Sequence, residues 1–298
     1  MKKPHQRTPL RALKHALTNP LTWLGCSAIL AFSPLASASA SASTATPPTV
    51  QSGVLTIASD LTYPPYAYFQ DKVPSGFDAD FSRLMAKHLS LDANIVDTRF
   101  ADLVVGLRAN RVDVVASALY MTPERAKLIS YVPYLKTGSS LIALSKSTQR
   151  PQNPEMLCGL KVSTIKAASW TPKLERVSQS YCQAQGKPAI TVLEFPTSPE
   201  ALMALRSSAA DVMMEDSAVA HQLVQTMKGE LEVTSPELLY TIVIALGVNQ
   251  RNPELSEALT QALQRATESG EYAQLLEQYG LAAPTQADIE SSLATQPQ

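Results

Sequence analysis

The order of elements along this 298-residue chain predicts an α/β fold of two lobes, each a doubly wound sheet, joined by two crossings. Three observations carry that prediction. Short apolar runs alternate with stretches of helical spacing in two successive β-α-β-α-β sets, the order that builds parallel sheets. Two long apolar strands, 140–144 and 240–248, stand where the chain would pass between lobes. The part beyond residue 42 runs to about 250 residues, enough for one large domain or two modest ones.

Taken in order, residues 54–58 read as the first strand. Phe77, Phe81, Leu84, Met85 and Leu89 recur at helical spacing and predict a helix over 77–89. Gly76 supplies a turn before it, and Asp78 and Asp80 sit near its start, where the helix dipole favours acids. That run is therefore read as structure, outside any pocket. A strand over 93–96, a helix over 103–109 and a strand over 112–116 complete the first set. The chain then runs through Tyr131, Val132, Pro133 and Tyr134 to the apolar strand 140–144. The second set has strands at 160–165, 190–195 and 212–215. Its helices are 172–185 (ended by Gly186), 199–207 and 219–227. The strand 240–248 and helices 253–269 and 272–279 follow, and a polar tail begins at residue 284.

The N-terminus reads as an export signal. Lys2, Lys3, Arg7, Arg11 and Lys14 form a basic region without an acid, residues 21–32 a short apolar core, and residues 36–42 a small-residue run with several A-x-A cleavage sites. A membrane anchor needs roughly 20 apolar residues, and Pro34 interrupts the run too early. Cys26 follows Leu24 and Gly25 in a weak likeness of a lipoprotein site, but the apolar core continues past it. The expected layout is a signal peptide over 1–42, cleaved in or near 38–42, and a leader over 43–52. Residues 53–141 plus 246–283 form one lobe, 142–245 the second and 284–298 the tail.

Removing the signal takes away five basic residues and leaves 20 Lys and Arg against 26 Asp and Glu, a net charge of −6. That balance argues against nucleic acid and against anionic membrane surfaces as partners. Two of the three cysteines remain, Cys158 and Cys182. In an oxidising compartment an isolated pair reads as one disulfide, and its 24-residue separation corresponds to roughly 3 kcal/mol of loop-closure stabilisation. No C-x-x-C or His pair stands near either cysteine, so no metal site is expected, and no cofactor motif is present.

The most informative stretch is Ser117-Ala-Leu-Tyr-Met-Thr-Pro-Glu-Arg125. It follows a buried strand and leads into a Thr-Pro-Glu helix start, which brings backbone N–H groups and one guanidinium to a strand end. Ligand crevices of open α/β sheets form there, and Arg suits a two-point grip on a carboxylate. An isolated Thr-Pro-x-Arg is equally an ordinary first turn; the rest of the chain decides.

Four blocks in register resemble the bacterial solute-binding proteins of family 3, the extracytoplasmic receptors of polar amino-acid ABC transporters. They are residues 54–80 with Tyr63-Pro-Pro-Tyr66, residues 111–126, the run Ala210-Asp-Val-Met-Met-Glu-Asp-Ser-Ala-Val-Ala220, and residues 252–272. The resemblance spans roughly residues 53–282. It implies a two-lobe periplasmic binding protein of type II-like fold that traps an amino acid between its lobes. By position, Arg125 would grip the α-carboxylate, helped by backbone N–H groups near Ser117 and Tyr120. Asp216 would take the α-ammonium from the second lobe, though on spacing it is also a helix N-cap. Ser169 stands at the mouth of the second lobe and could equally cap the helix after it. Tyr63 and Phe100 match aromatic positions that sandwich the ligand, or are ordinary core residues. Asp60 matches a position near the ligand side chain. Tyr120 replaces the Ser or Thr of many relatives, and Lys166-Ala-Ala-Ser169 replaces a loop richer in Gly and Thr.

The implied function is binding of an amino acid and its delivery to the permease of an ABC importer, by a monomeric periplasmic protein that performs no chemistry. Asp60 with Glu215 and Asp216 makes the expected cleft acidic, which favours a polar or cationic side chain. Two alternatives remain open: a cyclohexadienyl dehydratase-like enzyme on the same scaffold, and a sensor that docks to a chemoreceptor or sensor kinase. No nucleophile–base pairing supports a hydrolase, because the exported part holds only His88 and His221.

Overall fold

A computed structural model of the chain describes residues 47–294. The expected signal peptide, the first residues of the leader and the last four residues lie outside the described residues. The first strand, β1 (Val54–Ser59), leads into three short strands, β2 (Thr62–Tyr63), β3 (Ala67–Gln70) and β4 (Val73–Ser75). Helix α1 (Phe77–Leu89), β5 (Asp92–Asp97), α2 (Leu103–Arg108), β6 (Val114–Val115) and the single turn α3 (Pro123–Ala126) follow, then the long strand β7 (Ile129–Leu144). The second set is β8 (Lys161–Ile165), α4 (Thr171–Val177), β9 (Thr191–Phe195), α5 (Ser198–Arg206), β10 (Val212–Asp216), α6 (Ser217–Thr226) and β11 (Leu231–Val233). Strand β12 (Leu239–Asn249) and helices α7 (Pro253–Glu268), α8 (Glu271–Tyr279) and α9 (Gln286–Leu293) complete the described chain.

The expected two-lobe α/β architecture is present, with one difference in how the lobes join. The strand order is β5-β1-β6-β12-β7-β10-β8-β9, with β11 beside β7, so one hydrogen-bonded sheet runs through both lobes. Pairs β1–β5, β1–β6, β8–β9 and β8–β10 are parallel. β7 and β12 are antiparallel to each other along most of their length and belong to both lobes. The boundaries expected at 141/142 and 245/246 therefore fall inside shared strands.

The sequence reading caught only the end of β7, because Pro133 cannot donate to a ladder and argues against a strand interior. It is accommodated at an irregularity. Ala245 pairs with Pro133 and Ile244 with Leu135, so Tyr134 is the extra residue. Its ring packs against Phe81 at 4.5 Å between centroids, in the aromatic core under α1. A second irregularity lies where the ladder passes from one lobe to the other. Ile242 pairs with Thr137 and Leu239 with Ser139, leaving Tyr240 and Thr241 opposite Gly138. Tyr240 takes a left-handed φ of 50° there, and a Cβ on Gly138 would stand 2.9 Å from the Leu239 carbonyl oxygen.

Three further differences concern single elements. The small sheet β2-β3-β4 was not anticipated, because strands of two to four residues are too short for a periodic signal. The helix expected over 172–185 is α4 followed by a π turn, Ser178–Cys182. The segment after Pro284, expected as a tail, forms α9. A capping box closes its first turn, with Thr285 and Asp288 bonding each other's backbone N–H. Ile289 of α9 packs on Met121, Val243 and Ala245, and Ser292 Oγ accepts from Val243 N at 3.0 Å.

The disulfide between Cys158 and Cys182 is formed, with an S–S length of 2.04 Å, and joins the loop before β8 to the end of the π turn. No helix among the described residues is long and apolar enough to cross a membrane.

Candidate functional site

Ends of parallel strands from both lobes converge on one interlobe surface. From the first lobe, β1 delivers Asp60, β2 carries Tyr63, and β6 delivers the loop 116–120. Thr122 caps α3 by accepting from Arg125 N at 3.2 Å, which turns Arg125 back over that loop. Its Nη1 donates to the Tyr120 carbonyl oxygen at 3.0 Å, and its guanidinium lies 5.5 Å from the centre of the Phe100 ring. Its Nη2 donates across the lobes to the Ala167 carbonyl oxygen at 3.0 Å. Each terminal nitrogen carries two N–H groups, so each keeps one beyond the bond named here. Burial holds the Arg125 pKa below its ordinary value.

From the second lobe, β10 ends in two adjacent carboxylates, Glu215 and Asp216, both fully buried. Asp216 is the N-cap of α6, accepting from Ala218 N at 2.9 Å. It also accepts from Tyr66 Oη (3.0 Å), Tyr120 Oη (2.6 Å) and Thr137 Oγ1 (2.8 Å). A carboxylate offers about four acceptor positions, so these four donors fill it. Glu215 accepts from Tyr63 Oη, from Ser198 Oγ at 2.7 Å and from Asp216 N at 3.1 Å. Three tyrosine hydroxyls of the first lobe thus reach two acids of the second. Desolvation pushes Glu215 up to about 7 and raises Asp216 as well. The same burial, with the neighbouring acids, raises Tyr63, Tyr66 and Tyr120 well above the ordinary phenol value.

Between the lobes lies a cavity of about 20 Å³, lined by Tyr63, Phe100, Ala118, Tyr120, Arg125, Ile165, Ala168, Ser169 and Trp170. That is room for about one water molecule. A groove of about 590 Å³ shares Arg125, Ala168 and Ser169 with it and extends along α3, α4 and α9, past Lys173 and Arg176.

Five residues singled out in the sequence line the cavity: Tyr63, Phe100, Tyr120, Arg125 and Ser169. Three do not. Asp216 is not among the lining residues; it meets its cap reading, and its remaining acceptor positions take neutral hydroxyls of the chain. Ser117 is buried and accepts from Asp60 N at 2.9 Å. Asp60 is not among the lining residues; it forms an ion pair with Arg99 at 3.0 Å and also accepts from Thr62 Oγ1 and Phe100 N. The acidic cleft expected from Asp60, Glu215 and Asp216 is accordingly not presented to the cavity, because protein donors occupy all three. Ser169 does not cap a helix either; the N-cap of α4 is Trp170. The N–H of Ala118, one of those expected to help Arg125, donates to Asp78 Oδ2 at 2.7 Å. Asp78 also accepts from Tyr134 Oη at 2.6 Å. Through the Ala118 N–H it holds the loop that carries Tyr120, and burial pushes its pKa up to about 7.

Sequence reasoning missed Trp170, Ile165, Tyr66 and Thr137. Trp170 meets Tyr120 edge-on at 5.6 Å and donates from Nε1 to Thr164 Oγ1 at 2.7 Å. A signal for two of them was available: Trp170 directly follows Ser169, and Tyr66 closes the Tyr63-Pro-Pro-Tyr66 run.

Comparison with known proteins follows the same outline. The model of the family described as bacterial extracellular solute-binding proteins, family 3, matches residues 55–282. An arginine-binding protein of Corynebacterium glutamicum is 26% identical over 234 residues, 78% of this chain and 75% of that protein. The L-cystine-binding protein of Escherichia coli K12 is 24% identical over 229 residues, covering 76% and 82%. Among solved structures, a mutant form of ArgBP from T. maritima superimposes with a TM-score of 0.69 at 25% identity, over 76% of this chain and 95% of that one.

Proposed function

The chain belongs to family 3 of the bacterial extracellular solute-binding proteins, and on that premise we propose that it binds an amino acid between its lobes and delivers it to an ABC importer. The observation that carries this reading is Arg125, whose guanidinium lies against Phe100 and lines the interlobe cavity together with Tyr63. In this reading Arg125 grips the ligand carboxylate and Asp216 receives the α-ammonium once the lobes admit it. Ser169 and the backbone around Ser117 and Tyr120 complete the surround, and Asp60 shapes it through Arg99 and Phe100. Aromatic faces accept a cationic side chain as readily as an apolar one, so a polar or cationic side chain stays compatible with this lining. The protein acts as a monomer in the periplasm after removal of its signal peptide, and it performs no chemistry. The named relatives are binding proteins rather than enzymes, which supports the same reading.

A calorimetric screen of the common amino acids tests the reading. Removing one partner of a buried charge pair costs about 3–5 kcal/mol, a loss of roughly a hundredfold to a few thousandfold in affinity. Arg125→Ala and Asp216→Ala should each show that loss with the fold intact. Arg125→Lys should recover part of it, because an ammonium lacks the planar fork. Wild-type affinity in Arg125→Ala would remove Arg125 from the site.

A further inference from the structure

Tyr120 touches both groups to which the ends of an amino acid are assigned. Its carbonyl oxygen accepts from Arg125 Nη1 at 3.0 Å, and its hydroxyl donates to Asp216 Oδ2 at 2.6 Å. One residue of the chain thus links the proposed carboxylate grip to the proposed ammonium acceptor, across the lobes. Its ring is steadied from the second lobe by Trp170, itself tied to Thr164. With Tyr66, Thr137 and Ala218 N on the same carboxylate, Asp216 has no acceptor position left for an ammonium. The cavity of about 20 Å³ that remains presents one guanidinium and no carboxylate.

We propose that Tyr120 is a tethered stand-in for the ligand's α-ammonium. Its phenol holds Asp216 while the lobes are closed on themselves, and an entering amino acid must displace it. Tyr63 on Glu215 and Tyr66 on Asp216 act in the same direction, so the closed form is latched by three tyrosine–acid contacts. Tyr120 thereby sets specificity. A carboxylate ligand without an α-amine can leave the Tyr120–Asp216 bond in place, whereas an amino acid has to break it. The proposal takes its ligand from the amino-acid reading above, but the latch itself can be measured without any ligand.

Two measurements on the full exported protein test it. Titration calorimetry compares wild type with Tyr120→Phe, using each common L-amino acid against its counterpart lacking the α-amino group. A hydrogen bond to a charged group contributes enough that its removal from the competing side should tighten amino-acid binding about 10- to 100-fold. Affinity for the amine-free counterpart should stay level or fall. Small-angle scattering without ligand compares wild type with the variant Tyr63→Phe, Tyr66→Phe, Tyr120→Phe, whose fold is checked by circular dichroism. The wild type should be the more compact. The proposal is overturned if Tyr120→Phe binds amino acids no more tightly, if both ligand classes gain alike, or if the two unliganded proteins scatter identically. Should no amino acid bind either protein, the amino-acid reading falls, and the scattering comparison alone decides the latch.

Discussion

At the scale of single residues, the site is governed by carboxyl groups taken out of water. Glu215 and Asp78 are both fully buried, and both are pushed up to about 7, from ordinary values of 4.5 and 3.8. A carboxyl whose pKa is raised on folding binds more protons in the folded state between the two values. Its contribution to stability is therefore complete below about pH 4 and is lost as pH rises through about 7. Urea unfolding should give a larger free energy at pH 5.5 than at pH 8, by about 2 kcal/mol for each group and about 4 for the pair. Glu271 and Asp288, held down to about 2 by their partners, titrate below that window. Glu215→Gln and Asp78→Asn should each flatten the slope, whatever they do to the absolute value. An unchanged slope in both would mean that the acids titrate normally. The place of Arg125 at the cavity and that of Asp216 as a helix cap were legible in the sequence, because each sits in a local run, Thr122-Pro-Glu-Arg125 and Glu215-Asp-Ser217. The tyrosine–acid contacts were not, because they join residues 63, 66 and 120 to 215 and 216, and only the folded sheet brings these together.

At the scale of elements, legibility follows length and period. Helix α1 is placed to the residue by its apolar spacing and by Gly76, whose φ of 103° leaves a Cβ only 2.5 Å from the Tyr66 carbonyl oxygen. Strands β2 to β4 and the front half of β7 escaped because they are too short in the first case and carry a proline in the second. Helix α9 escaped because Ile289 and Leu293 are its only large apolar side chains, although Thr285-Gln-Ala-Asp288 is a helix-start signal. Its contribution is nonetheless specific. Ile289 covers Met121 and Val243, Ser292 satisfies the Val243 N–H, and Asp288 pairs with Lys136 at 2.7 Å. Ending the chain at Pro284 should therefore lower the unfolding free energy by about 1–3 kcal/mol, from lost burial and an unpaired amide on β12. Ser292→Ala, which removes only the acceptor, should account for part of it. Denaturant melts of the two variants measure this, and equal stability to wild type would make α9 an appendage.

At the scale of the whole molecule, the two lobes are one sheet, and β7 and β12 are its shared spine. Antiparallel pairing runs from Ile129–Asn249 to Thr137–Ile242 and resumes at Ser139–Leu239, broken only by the irregularities at Tyr134 and at Tyr240–Thr241. We expect relative motion of the lobes to be a twist of this two-strand ribbon, taken up where Gly138 and Tyr240 leave regular geometry. A ribbon that twists keeps its hydrogen bonds. Amide exchange at Val132, Leu135, Ile244 and Leu246 should therefore stay equally slow in wild type and in the triple tyrosine-to-phenylalanine variant. Amides of the facing loops, 117–121 and 166–169, should exchange faster when the latch is removed. Fast exchange along β7 and β12 in the variant would mean that the ribbon unzips. If it twists, the spine is an axle: the lobes turn about it while every rung of the ladder stays in place, so access to the cleft changes without any local unfolding.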